Sequence, residues 1–168
     1  MTELENSRAE KDDFFARHPQ SPLTAAQKRT FTGLRYFDEN PALRLTLTVD
    51  PFPAREQIEI QTSTGDACVY VRFGRFKFLV DGQEAELTIY ETEHGFFLPF
   101  VDSLAGAETY PAGRYLDPEL LPGGRFLVDF NLAYNPYCAY NDAWSCPLTP
   151  FENRLKVPIR AGEKIFHE

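Results

Sequence analysis

Cysteine and histidine are scarce, three of each in 168 residues. That argues against a disulfide framework, and against a structural zinc site, which takes four ligands usually set in two close pairs. Positive charge is also in short supply: 17 Lys and Arg stand against 25 Asp and Glu, for a net charge of −8. An acidic surface repels phosphate backbones, so nucleic-acid binding is disfavoured. No apolar run approaches the ~20 residues of a membrane span. The opening residues, Met-Thr-Glu-Leu-Glu-Asn-Ser-Arg, lack the basic and apolar regions of an export signal. A cytoplasmic protein with no membrane partner is the simplest expectation. There is no P-loop, Rossmann fingerprint, HExxH or GxSxG, so neither a nucleotide nor a serine-hydrolase reading has support. No metal or cofactor is expected.

What the chain has in quantity is aromatic surface, with 15 Phe and 8 Tyr. Its length fits one domain able to bury its own core. Three stretches are expected within 1–168: a helical arm over 1–42, an antiparallel meander over 43–100, and irregular loops with closing strands over 101–168.

Ser7 with Glu10 predicts a capped helix running to His18, and Thr24 with Gln27 caps a second, ending near Phe31. From Leu43 the period changes to two. Leu43, Leu45, Leu47 and Val49 alternate with polar residues, as do segments over 57–61, 68–73, 75–80, 85–91 and 96–100. Asp81-Gly82 reads as a hairpin turn, and Gly74 as a bulge. Further strands are expected over 126–130 and 155–159. The fold class is therefore mainly β, an antiparallel barrel or sandwich with one or two short N-terminal helices.

The segment from Asp102 to Glu163 has no clear period, yet it is too aromatic for a disordered loop. It contains Glu108-Thr109-Tyr110, Gly113-Arg114-Tyr115-Leu116-Asp117, Asp129-Phe130-Asn131, Ala133-Tyr134-Asn135-Pro136, Cys138-Ala139-Tyr140, Cys146-Pro147-Leu148, Glu152-Asn153 and Ala161-Gly162-Glu163. With Lys11-Asp12, Phe14-Phe15, Ser21-Pro22-Leu23 and Phe31-x-Gly33-Leu34-x-Tyr36-Phe37, these strings resemble the DUF1684 domain of bacterial and archaeal proteins, a domain of unknown function. Leu104 and Thr149 depart from that pattern, where Thr and a second Pro are usual. The resemblance implies a site in this segment without naming its chemistry.

Candidate roles follow from residue type. Glu108, Asp129 and Glu152 would move protons as catalytic carboxylates. Arg114 offers a planar fork of donors to an anion. Tyr110, Asp117, Asn131, Tyr134, Asn135 and Tyr140 would complete a ligand-binding wall. Each has a plainer alternative: Arg114 pairing with Asp117 or Glu108, Asn135 shaping a turn before Pro136, and Glu152-Asn153 opening a helix or turn. Cys138 and Cys146 admit a disulfide, a metal pair or two buried thiols. Two functions remain open: an enzyme acting on a small polar or anionic metabolite, and a non-catalytic ligand-binding or structural domain whose signature residues form a self-satisfied polar network.

Overall fold

The computed structural model describes residues 2–167. Helix α1 spans Glu3–Arg17 and starts one turn before the expected cap. Thr2 and Glu5 form a reciprocal capping box, with Thr2 Oγ1 accepting from Glu5 N. Nothing between Thr2 and Ser7 disfavours a helix, so the earlier of two equivalent cap patterns wins and adds a turn. Helix α2, Ala25–Thr30, is capped by Thr24 and Gln27 as expected.

Nine strands follow among the described residues: β1 (Arg44–Thr48), β2 (Asp50–Pro51), β3 (Gln57–Gln61), β4 (Ala67–Val80), β5 (Gln83–Thr92), β6 (Gly95–Phe100), β7 (Arg114–Leu116), β8 (Glu119–Leu120) and β9 (Arg125–Asp129). They build two antiparallel sheets. One has the order β1-β9-β8; the other is six-stranded, with β2-β4-β5-β6-β7 in a path and β3 also on β4. The sheets do not close into a barrel, and the sandwich alternative is the one observed. The meander also needs correction at its start. Strand β1 leaves it to pair with β9 across 80 residues of chain, Leu45 opposite Val128 and Leu47 opposite Phe126. Those apolar pairs bury better against the second layer than at the end of one long ribbon.

Within the meander the alternation does what a two-residue period requires. Phe76 and Phe78 of β4 face Leu87 and Ala85 of β5 across the ladder, and these four are buried together with Val80, which pairs with Gln83 at the turn. The hairpin between them turns through Asp81 and Gly82, both at positive φ (50° and 82°), the conformation of a two-residue type I′ turn. A register shift between Arg72 and Gly74 marks the bulge. The main core lies between the sheets and includes Leu87, Ile89, Leu98, Phe100, Phe126 and Phe130. A smaller cluster joins Phe15 of α1 to Leu23 and Tyr140.

The strand expected over 155–159 is absent. Leu155, Val157 and Ile159 do alternate, and residues 153–157 run beside 101–103 through three backbone bonds, Val101 N to Asn153 O (3.1 Å), Leu155 N to Val101 O (2.7 Å) and Ser103 N to Val157 O (3.0 Å). That contact amounts to a single parallel bridge, Val101 with Arg154, and beyond it the chain is held by side chains. Arg114 sends Nη1 to Ala161 O and Glu163 O (3.0 Å) and Nη2 to Ile159 O (2.9 Å). Asp102 Oδ2 accepts from Ile159 N (2.8 Å). Alternate carbonyls of an extended chain face one side, so one guanidinium collects three of them as a neighbouring strand would. Asn153 does the same between β5 and β6. Pro99 has no N–H to give, and the β5–β6 ladder ends at Tyr90 and Phe97. Beyond that end Asn153 accepts from Thr88 N (2.8 Å) and donates to Thr88 O (2.9 Å) and Pro99 O (2.8 Å).

Candidate functional site

The buried polar knot comes first, because it absorbs much of the expected site. Arg114 is 1% exposed. Its ion-pair partner is neither Asp117 nor Glu108 but Asp102, at 3.8 Å. Burial pulls its guanidinium down to about 10 while Asp102 and Glu163 pull it back up, so it stays cationic at neutral pH. Phe100 packs under the charge, 5.1 Å from the ring centre. Gly113, at φ 102°, precedes it; a Cβ there would lie 2.5 Å from Phe100 O, so only glycine lets β7 enter this closely. Beside the knot, the equally buried Glu163 accepts from Lys11 Nζ (2.7 Å), Asn135 N (3.0 Å) and the Tyr140 hydroxyl.

The three expected proton carriers lie apart. Glu108 is half-exposed and pairs with Arg160 at 3.4 Å. Asp129 is buried and caps the turn that ends β9: its Oδ1 accepts from Asn131 N (3.0 Å) and Nδ2 (2.9 Å), and Arg44 reaches Oδ2 at 3.1 Å. The chain leaves strand geometry at Phe130, so Asp129 and Asn131 meet through this cap, not as neighbours on one strand face. Asn131 spends its remaining bonds on Asn40, accepting from its N (2.8 Å) and donating to its O (2.9 Å). The prolines before Glu152 aim Asn153 inward and Glu152 outward. Glu152 takes a two-bond fork from Arg72 (2.6 and 3.1 Å) and the Tyr90 hydroxyl. Burial alone would raise the Glu152 carboxyl, but the bonds from Arg72, Tyr90 and Thr88 outweigh it and hold it below the ordinary value. A carboxyl held ionised in this way is a poor proton donor.

A different set of signature residues forms a concave surface. An aromatic cleft of about 340 Å³ is walled by Tyr70 of β4, Phe97 of β6, Tyr115 of β7, Tyr134, Tyr137 and Trp144. The rings brace one another: Tyr70 stacks on Phe97 at 5.4 Å, and Tyr115 meets Phe97 edge-on at 4.8 Å. Tyr115 and Tyr134 exchange backbone bonds (2.8 and 3.0 Å), and the Tyr115 hydroxyl donates to Pro147 O. Tyr134 donates to Asp117 at 2.9 Å. Burial pushes both phenols well above their ordinary value, so they remain neutral donors. Tyr70 and Phe97 also line an adjoining hollow of about 520 Å³ with His94, Asp117 and Glu119, and the two hollows together are termed the groove. No lysine or arginine lines either part.

Asn135 sits at the cleft, 1% exposed. Its Nδ2 donates to Lys164 O (3.0 Å), but its Oδ1 is buried with no hydrogen-bond partner. Of the expected ligand residues, the groove thus gathers Asp117, Tyr134 and Asn135. It leaves Arg114, Asn131 and Tyr140 inside the protein. Tyr110 stands behind the cleft wall, its hydroxyl 3.7 Å from Cys138 Sγ. A larger hollow of about 620 Å³, around Phe31, Arg35 and Phe166, lies between α2 and the last residues and touches none of these groups.

Cys138, Cys146 and Cys68 are free thiols. Cys146 lines the cleft, and its Sγ accepts from Cys138 N at 3.3 Å. The reading of Glu163, Asp102 and Asn153 as organising residues was not available from spacing. Lys11 and Glu163 both belong to the signature strings, and their being partners was the signal available for Glu163.

Among the described residues no helix is long and apolar enough to cross a membrane, and no cluster of His, Cys, Asp and Glu is arranged to hold a metal. A family profile described as "Protein of unknown function (DUF1684)" matches residues 29–164. An uncharacterized protein of Haloarcula marismortui, solved by solution NMR, is similar at 37% identity and a TM-score of 0.70, over 96% of this chain and 91% of that one. No match was found among curated proteins.

Proposed function

The chain belongs to the DUF1684 family, and from that premise we propose that it is a ligand-binding protein whose aromatic groove takes a small aromatic molecule bearing an ammonium or N–H donor. The carrying observation is the unpartnered Asn135 Oδ1 on a residue that lines the cleft. A buried acceptor left unmade costs about 1–3 kcal/mol, and a ligand donor would recover it. Ring walls hold a flat partner by stacking, and a cation adds attraction to their faces. Asp117 and Glu119 with no facing lysine or arginine, on a protein of net charge −8, favour a cation over an anion.

Enzymatic turnover of a small anionic metabolite has less support. Arg114, the cation assigned to it, has bonded its three backbone carbonyls, and Glu108, Asp129 and Glu152 do not converge on the groove.

Thermal shift with phenethylamine and with phenylacetate, one ring in opposite charge states, tests the reading. The amine should raise the melting temperature of the wild type and have no effect on a Tyr70→Ala/Trp144→Ala variant that keeps its fold. Stabilisation by phenylacetate and not by the amine would overturn it.

A further inference from the structure

Behind the cleft wall, Cys138 and Cys146 are set as a pair. Cys138 is the middle residue of the 3₁₀ turn Tyr137–Ala139 that follows Pro136, and the chain returns through Trp144 to bring Cys146 Sγ within 3.3 Å of Cys138 N. Tyr110 Oη lies 3.7 Å from Cys138 Sγ. Ser63 accepts from Cys146 N at 3.1 Å and pins the returning chain. Cys138 is partly exposed and Cys146 is buried. A partly exposed cysteine beside a more buried one is the arrangement that an attacking and a resolving thiol require.

We propose that Cys138 and Cys146 are a reversible dithiol–disulfide couple that exchanges with low-molecular-weight disulfides, Cys138 attacking and Cys146 resolving. The Cys138 thiolate bonds to one sulfur of R–S–S–R, breaking that bond and releasing R–S⁻, which takes up the proton Cys138 has lost to solvent. Cys146 then bonds to Cys138 Sγ, expelling the second R–S⁻ and giving it the Cys146 proton. The small disulfide is reduced to two thiols, and the protein pair is oxidised to one disulfide. The charge distribution agrees with this order. The Cys138 thiol is drawn down to about 6, first by the hydrogen bond from Cys146 and then by those from Tyr110 and Ser63, against the opposing effect of burial. Cys146, sharing its proton with Cys138, is pushed up.

The proposal needs no cleft ligand, so its failure and that of ligand binding are separable. The test is thiol counting and intact mass on Cys68→Ser protein incubated with oxidised glutathione under native conditions. Both remaining thiols should disappear together with the loss of two hydrogens, and native treatment with dithiothreitol should restore them. Adding Cys146→Ser should trap glutathione on Cys138. Adding Cys138→Ser should slow reaction at least about tenfold. Iodoacetamide labelling of Cys138 in the Cys146→Ser protein should rise with pH earlier than for a free thiol, and Tyr110→Phe should move the midpoint up. Circular dichroism identifies any variant that loses its fold, in which case the count on Cys68→Ser protein alone decides. Thiols that react only in urea would overturn the proposal. So would a mixed disulfide that never closes in the protein with both cysteines, or a closed bond that dithiothreitol cannot open without unfolding.

Discussion

Strands β4 to β6 and the segment from 101 to 163 solve the same problem in different ways. Both must pair the backbone groups they bury. The strands do so with each other, Phe76 opposite Leu87 and Tyr90 opposite Phe97, and any side chain of the right polarity can ride on the ladder. The later segment pairs backbone with specific side chains: Arg114 with Ile159, Ala161 and Glu163, Asn153 with Thr88 and Pro99, and Asp102 with Ile159. A ladder is insensitive to identity, whereas a side chain standing in for a strand cannot be exchanged. An unusual run of fixed residues is therefore not in itself a sign of catalysis.

Substitutions measure that contrast. Arg114→Met should be the most damaging. It strands three carbonyls and leaves the buried Asp102 carboxylate without its cation, at about 3–5 kcal/mol, read from urea unfolding. If it costs no more than an exposed ladder position such as Thr46→Ala, within about 0.5 kcal/mol, the contrast fails. Asn153→Ala should follow at about 2–3 kcal/mol, because Thr88 and Pro99 lose buried partners. Glu152→Gln should matter less, under about 1 kcal/mol, since Glu152 is a third exposed. Its effect should also depend on pH. A carboxyl depressed by folding adds stability above its unfolded value and loses it as pH falls through the folded one. The gap between wild type and Glu152→Gln should thus be widest at neutral pH and close below the ordinary carboxylate value of 4.5. Trp144→Ala should be the mildest for stability, the indole being 38% exposed, while it weakens amine binding in a titration.

The ladder region was readable from sequence because a period of two is a local signal. Strand β4, its bulge and the Asp81-Gly82 turn follow from neighbouring residues alone. The failures share a cause. Leu155, Val157 and Ile159 alternate like a strand, but no property of those residues reveals that backbone pairing stops at Val157 and that from Ile159 one guanidinium takes over. Strand β7 is three buried residues, too short to show alternation. Arg114 was expected to meet an anion because its own chemistry allows that equally well. Backbone carbonyls from elsewhere in the chain have no letter in the sequence. Asp117, Tyr134 and Asn135, which line the groove, were legible as candidates because all three stand in the strings that resemble the family. Cys138 was read toward scaffolding because its neighbours in space, Tyr110 and Ser63, are far off in sequence.

The Lys11–Glu163 bond spans 152 residues, and its consequence is kinetic. Helix α1 buries Phe15 alone and is held down by this bond, by the small cluster around Phe15, by Arg8 bonding Phe37 O (3.2 Å) and Asn131 O (3.4 Å), and by Asp12 accepting from Leu34 N (2.9 Å). During synthesis Glu163 is made 152 residues after Lys11. The helix must wait undocked while the sandwich assembles, and Glu163 can accept Lys11, Tyr140 and Asn135 only after Arg114 has drawn residues 159–163 into place. Docking of the first element is then the final event of folding. Residues 3–17 should regain protection from hydrogen exchange after β4 and β5.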